Sequence, residues 1–447
     1  MTSSKAVANK ACFSRRSILI SALSTTAYAV AQPSFSAEAG SQKPNSAADF
    51  IMSVGVVLHL SSRDKTTPYA NLEKVVELLQ DLGIMQLREL AIFQSNITRD
   101  HDYYQRVRKL VAMGYRFTLI CTDPTNPYVF CPPRRLPDIY DWCDGGIDIL
   151  EGGNEPDLAR RPSANPAVSA EHQRTLYWVV KNTPSLRNVT VASPSYIQKS
   201  LLLAEDISDA VDWINIHPYP GMEHPETNGP GKLLGFIQGA QRICGKKPVL
   251  ISETGYHTAL QTKSSFLPVS EAIKTRYLPR LLLWGFLNGA QRSYIYELID
   301  SLNNGPADAE SHFGLASYDG TPKPSFWAVK RLIGLLSRPA AGVGSNRPFQ
   351  SEVTGDTQSL RTAVFRRNDG SHLLFLWLGV SGWDPVARAP LPPSAREVVL
   401  SIDPSPRTVR AYLFQDDASL AESPISPADG RLRLKVSDQL TAVEIET

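Results

Sequence analysis

Cysteine is scarce: five in 447 residues, with no C-x-x-C pair and no His and Cys grouped at metal-ligand spacing. That excludes the zinc-ribbon and disulfide-scaffold classes. No strand-like run leads into a Gly-rich dinucleotide fingerprint, and no nucleophile elbow or Ser-His-Asp arrangement presents an activated serine. An excess of one charge is lacking too. The formal net charge is +2, without the concentrated basic face that a nucleic-acid binder needs. Even this small excess is local. Residues 1–39 carry Lys5, Lys10, Arg15 and Arg16 against Glu38, a net of +3, which leaves the remainder at −1. A near-neutral body suits an uncharged substrate. Beyond the N-terminus no apolar run is long enough to cross a bilayer, so no integral span is expected there.

What is present begins with FSRRSILISALSTTAYAVAQPSFSAEAG. Two arginines precede a moderate apolar stretch and two small-residue sites, AVA (29–31) and AEA (37–39). This is the layout of an export signal, and Ser14-Arg15-Arg16 resembles a twin-arginine start. Residues 1–39 are therefore expected to be removed from a bacterial protein that is periplasmic or secreted. Cys12 leaves with the signal. Cys121, Cys131, Cys143 and Cys244 remain, either as free thiols or with a Cys131–Cys143 disulfide.

From residue 51 onward, short β-rich runs alternate with helical patterns. The runs are IMSVGVVLHL (51–60), IMQLREL (84–90), RFTLICT (116–122), IDILEGGN (147–154), VTVASP (189–194), VDWINIHPY (211–219), PVLISET (248–254) and RSYIYEL (292–298). Segments such as 71–83 and 102–114 between them repeat apolar residues at three- and four-residue spacing and end in Gly83 and Gly114, as amphipathic helices do. Eight nearly continuous apolar strands separated by helices predict an α/β fold, a (β/α)8 TIM barrel over residues 48–337. Past a Pro- and Gly-rich linker at 337–348, six short β-rich runs with no helix between them predict a C-terminal β-sandwich domain over 345–447. Trp377 and Trp383 within it are expected in its core, with stacking on sugar rings as the alternative.

A TIM barrel builds its site where the strands end. The polar residues at those ends are His59, Arg88, Asn154, Glu155, His217, Tyr219, Glu253, Tyr296 and Glu297, with Tyr256 just beyond strand seven. Two carboxylates, Glu155 and Glu253, fall on opposite sides of the ring. Glycoside cleavage needs such a pair, one protonated to release the leaving oxygen and one ionised to attack the anomeric carbon. Arg88 is placed to hold one carboxylate charged, Tyr219 to donate a hydrogen bond to that same group, and Asn154 to donate to a substrate hydroxyl. Glu151 is a candidate partner for Arg88, and Asp157 a turn cap. Gly152 and Gly153 would let the backbone approach the substrate closely.

GNEPD after strand four, IHPYPG after strand six, ISETGY after strand seven and Arg88 in strand two together resemble the clan A glycoside hydrolases, over residues 50–335. Family 5 and family 39 enzymes are the nearest. The resemblance implies a retaining glycosidase that cleaves O-glycosidic bonds in a poly- or oligosaccharide. It makes Asn154 the substrate-binding amide, Glu155 the acid/base and Glu253 the nucleophile, and it matches His217 and Tyr219 to the family's strand-six pattern. It implies a carbohydrate partner and no metal or organic cofactor. Many clan members carry a Trp at the end of strand eight. Here Tyr296 and Glu297 stand there, and Glu297 is a candidate contact for substrate hydroxyls. A transglycosylase using the same residues, or a barrel that binds polysaccharide without cutting it, are the alternatives.

Overall fold

A computed structural model describes residues 43–446 apart from 63–65, 95, 127–128, 157–164, 197–203, 230, 339–347 and 426–430. The export signal, Asp157 and residues 339–347 of the 337–348 linker lie outside the described residues. Among the described residues, no helix is long and apolar enough to cross a membrane.

The eight expected runs each contain a strand. In order around the sheet they are the first (Val54–Val57), second (Gln86–Leu90), third (Arg116–Ile120), fourth (Ile147–Glu151), fifth (Thr190–Ala192), sixth (Ile214–Ile216), seventh (Val249–Thr254) and eighth (Ala290–Ile295). Neighbours pair in parallel, and the first strand pairs with both the second and the eighth. The ring closes between the fifth and sixth, where Ser193 N–H donates to the Trp213 carbonyl at 3.0 Å and Trp213 N–H to Val191 at 3.2 Å. Val57, Ile149, Ala192, Leu250 and Tyr294 pack together inside the barrel. Such an interior is a filled core, so the chemistry is left to the strand ends.

The helices follow from local signals. Leu72–Leu82 opens with the Asn71 side chain accepting from Lys74 N–H and closes on Gly83, whose φ of 77° is costly for any residue with a Cβ. Its buried residues Val75, Leu78, Leu79 and Leu82 recur at helical spacing. One strand reading needs correction. Residues 51–53, expected to open the first strand, instead finish a helix, Ala47–Ser53. The Ser46 side chain caps it by accepting from Asp49 N–H, a local hydrogen bond that outweighs the β-like IMSV pattern.

The C-terminal region is a sandwich of two sheets. One has six strands in the order Asn45–Ser46, Leu360–Arg366, His372–Leu378, Thr441–Glu446, Thr408–Phe414 and Leu420–Pro424; the other pairs Gln350–Gly355, Arg396–Asp403 and Arg431–Val436. Leu374, Leu376, Val398, Leu400, Leu434 and Val443 fill the space between them. The opposite face of the larger sheet, with Phe365, Phe375 and Trp377, packs into the same core as the barrel helices. This explains why HLLFLWL does not alternate: all of His372–Leu378 is buried. Barrel and sandwich thus belong to one compact unit, residues 39–447. The pairing of Asn45–Ser46 with Leu360–Arg366 is parallel and was not foreseen, nor were the strands Gln350–Gly355 and Leu420–Pro424.

Two alternatives raised by the sequence are decided here. Trp377 and Trp383 are 0% and 2% exposed, so both are core residues and neither presents a face to a sugar. Cys121, Cys131, Cys143 and Cys244 are all free and buried, so the Cys131–Cys143 disulfide does not form. Cys143 closes the helix Leu136–Trp142 by bonding back to Ile139 and Tyr140, whereas Cys131 N–H is held by the Thr122 carbonyl beside Cys121.

Candidate active site

The end of strand four is shaped by close packing. A Cβ on Gly152 would meet Gln173 Oε1 at 2.2 Å and Pro194 Cγ at 2.9 Å, and one on Gly153 would meet Asp123 Oδ2 at 2.2 Å. The protein's own packing therefore leaves little room for a Cβ at either position. Two residues on, Glu155 has φ 45°, a left-handed conformation unusual for a side-chain-bearing residue. Its N–H is pinned by the Ser195 carbonyl at 3.1 Å. Strain held this way persists where surrounding contacts over-determine it, and it clusters at functional sites.

Arg88 organises the floor. It is 1% exposed, and its three guanidinium nitrogens go to three partners. Nε donates to Glu151, Nη1 to Glu253 Oε1 at 2.6 Å, and Nη2 to Asn154 Oδ1 at 2.7 Å. Asn215 Nδ2 bonds the other oxygen of Glu151. The planar fork thus links the ends of strands two, four and seven, which a point-charge lysine could not do. Accepting from Arg88 through its carbonyl oxygen fixes which end of the Asn154 amide is the donor end, the NH2.

Glu253 also accepts from Tyr219 OH at 2.8 Å. His217 lies between the carboxylates, with Nδ1 3.0 Å from Glu155 Oε1 and 3.6 Å from Glu253 Oε2, while its Nε2 meets Ser252 Oγ at 2.8 Å. One oxygen of Glu155, one of Glu253 and a ring nitrogen of His217 all lie within 4.8 Å of one another. Such a donor set has the spacing for a cation, but Arg88 already supplies positive charge to Glu253. Burial alone would raise the Glu253 carboxyl. The His217 ring, the Arg88 guanidinium and the Tyr219 hydroxyl outweigh it and hold the group down at about 2.

The remaining predicted residues divide by depth. Tyr296 is half-buried, its ring edge-on to Tyr219, His59 and Phe313. His59 Nε2 lies 2.8 Å from Glu297 Oε2, close as an ion pair but off the line of a hydrogen bond. Glu297 is fully buried and accepts from Ser301 N–H at 3.0 Å, while His59 beside it is 32% exposed at its side chain. Tyr256 does not join the cluster: it is buried, its hydroxyl donates to the Glu223 carbonyl at 3.0 Å and its ring packs on Tyr277.

Sequence reasoning passed over Asn215, Ser252, Glu89, Phe266 and Phe313. Asn215 and Ser252 fix Glu151 and His217. A polar residue inside the apolar strand INI was a signal for the first. Glu89 is buried beside His59 and takes two hydrogen bonds from Ser61; burial raises its carboxyl more than those bonds and His59 lower it. Phe266 and Phe313 pack around Tyr219 at ring separations of 5.8 Å and have no pattern that distinguishes them from core residues.

Solved structures share this architecture. A family 39 glycoside hydrolase from Bacteroides cellulosilyticus WH2 superposes with a TM-score of 0.61 at 17% identity, over 89% of this chain and 82% of that one. The fold is that of solved glycoside hydrolases. A family 30 subfamily 8 xylanase from Clostridium acetobutylicum matches with a TM-score of 0.53 at 12% identity, over 88% of this chain and 96% of that one. Xylanase C of family 30 from Talaromyces cellulolyticus does so with the same TM-score at 13% identity and the same coverage. No protein-family model matches the sequence, and no curated protein matches it.

Proposed function

We propose that this protein is a retaining glycoside hydrolase of the clan A type, acting on O-glycosidic bonds of a poly- or oligosaccharide. In the first step Glu253 forms a bond to the anomeric carbon as the bond to the leaving oxygen breaks, and Glu155 gives that oxygen its proton. In the second, Glu155 takes a proton from water, and the resulting hydroxide equivalent displaces Glu253 with the opposite stereochemistry, restoring both carboxyl groups. The observation that carries the reading is the unequal treatment of two neighbouring carboxylates. Arg88 and Tyr219 clamp Glu253 at 2.6 and 2.8 Å, which suits an ionised nucleophile, whereas among the described residues the Glu155 carboxylate meets the His217 ring nitrogen at 3.0 Å and no arginine or lysine. Their approach within 4.8 Å favours retention, because an inverting pair stands about 6.5–9.5 Å apart to admit water. Asn154 would donate through its amide to a hydroxyl next to the reacting carbon, and Tyr296 would face the sugar. Export through the twin-arginine route, from residues 1–39, belongs to the same proposal.

The test is trapping with a series of 2-fluoro sugars carrying activated leaving groups, followed by peptide mass analysis. A glycosyl adduct on Glu253 is expected and would also reveal the sugar. An adduct on Glu155, or turnover of natural glycans with inverted product stereochemistry, would overturn the assignment.

A further inference from the structure

The loop after strand six carries Tyr219 and then runs to the helix Leu233–Cys244. Buried within it, seven residues beyond Tyr219, is a carboxylate that the mechanism does not use. Glu226 is 3% exposed and receives four donors. Arg280 grips it with Nε at 3.1 Å and with Nη2, His224 Nδ1 lies at 3.0 Å, and Trp377 Nε1 donates at 2.6 Å. Burial opposes its charge, yet Arg280 and His224 prevail and hold its carboxyl down at about 2. Trp377 belongs to the sandwich strand His372–Leu378, and Arg280 to the helix Glu271–Leu287 that leads toward strand eight. Arg280 also donates to the sandwich carbonyl of Asp438 at 2.9 Å. Gly379 leaves room for this carboxylate, since a Cβ there would meet Glu226 Cβ at 3.3 Å.

The other end of the same loop holds the reacting group. Tyr219 OH donates to Glu253 Oε2. A second tie runs from strand seven: Thr254 Oγ1 donates to the Pro218 carbonyl at 2.8 Å and Tyr256 OH to the Glu223 carbonyl at 3.0 Å. The ring of Tyr277, against which Tyr256 packs, lies under Arg280 at 5.0 Å, and the Tyr277 hydroxyl accepts from sandwich Gly382 N–H at 2.7 Å. The loop is therefore anchored at Glu226 by the sandwich, at its middle by Tyr256, and at Tyr219 by the nucleophile candidate.

We propose that Glu226 is a positioning residue through which the sandwich, by Trp377, fixes the hydrogen bond between Tyr219 and Glu253. The sandwich is then a working part of the site, although among the described residues none of its side chains bonds to the carboxylate pair. The inference rests on the assignment of Glu253 as nucleophile, but its test does not depend on turnover.

Trp377→Phe leaves a smaller aromatic ring in the buried site and removes the N–H that bonds Glu226. Titration of the Glu253 carboxyl by carbon NMR of glutamate-labelled protein, assigned by its loss in Glu253→Gln, reads the clamp directly. Titratable and charged groups facing Glu253 among the described residues are Arg88, His217, Tyr219, Tyr296, Glu155, His59 and Glu310, and the substitution alters none of them chemically. The expected result is a rise of about 0.5–1 unit in the Glu253 pKa, from partial loss of one charge-assisted bond. In a Tyr219→Phe background the same substitution should shift it by less than about 0.2 unit. If activity is found, kcat/KM should fall about tenfold with Trp377→Phe alone and less than about twofold when it is added to Tyr219→Phe. An unchanged Glu253 titration in folded Trp377→Phe, or equal shifts in both backgrounds, overturns the proposal. Should Trp377→Phe fail to fold, Tyr256→Phe, which cuts the loop's middle tie, carries the same expectations and the same refutation. Absence of any glycosidase activity would refute the function while leaving the titration to decide this inference.

Discussion

Removing the Tyr219 hydroxyl by Tyr219→Phe isolates one of the forces on Glu253. The ring stays packed among Phe266, Phe313 and Tyr296, so the fold should be retained. What is lost is one hydrogen bond of 2.8 Å to a charged acceptor, worth about 1.5–3 kcal/mol in such a setting. At 1.36 kcal/mol per pH unit this is about 1–2 units, which lifts the Glu253 carboxyl from about 2 to about 3–4. The sign follows from which form the bond favours: the hydroxyl donates to the carboxylate, so its loss favours protonation. A 2-fluoro glycosyl fluoride needs no acid for its leaving group, so the pH dependence of fluoride release during trapping reports Glu253 alone. The wild-type rate should be flat from pH 7 to pH 4. In Tyr219→Phe it should decline below pH 5, with its midpoint near pH 3–4. Stability should respond in the same sense. A depressed carboxyl contributes stability above its unfolded value near 4.5 that disappears as pH falls toward 2, about 3 kcal/mol for the wild-type shift. The variant should therefore be less stable than the wild type above pH 4.5, and the difference should vanish at strongly acid pH. Superimposed trapping profiles, with circular dichroism showing both proteins folded, would refute the reasoning.

Glu155→Gln should lower hydrolysis of substrates with poor leaving groups by about 10²–10⁴-fold while sparing the first step on activated fluorides, checked by comparing burst and steady-state rates. Arg88→Lys retains the charge but cannot serve Glu151, Asn154 and Glu253 together, and should cost about 2–4 kcal/mol in denaturant unfolding. Gly152→Ala should destabilise by about 1–3 kcal/mol, because its Cβ would overlap Gln173 and Pro194. Replacing Arg15 and Arg16 together by Lys should leave the protein in the cytoplasm, as read by cell fractionation.

The barrel was legible because its strands are apolar throughout and its helices carry their own start and stop residues. Both signals are local: Asn71 and Gly83 bound a helix whatever lies elsewhere. The carboxylate pair was legible because strand ends in this fold converge, so Glu155 and Glu253, 98 residues apart in the chain, had to face one cleft. Orientation was harder to read. Tyr256 stands three residues past Glu253, beyond the strand's end at Thr254 and after Gly255 with its φ of 155°, so spacing along the strand does not set which way it points. The fork of Arg88 was foreseen in two of its three partners, Glu151 and a carboxylate of the pair. Its bond to Asn154 depends on side-chain reach, which spacing does not encode. Trp377 looked like an ordinary core residue and is one; its bond to Glu226 joins residues 151 apart and leaves no trace in either local pattern.

The short strand Asn45–Ser46 ties the beginning of the fold to its end. Asn45 Nδ2 bonds the carbonyl of Val364, 319 residues later, and the strand leads straight into the helix that precedes barrel strand one. At about 5–20 residues per second on the ribosome, this segment waits tens of seconds for its partner. The Asn45–Ser46 strand therefore emerges long before the sandwich strand that it pairs with exists. A chain stopped before residue 360 leaves Asn45–Ser46 without the strand it pairs with.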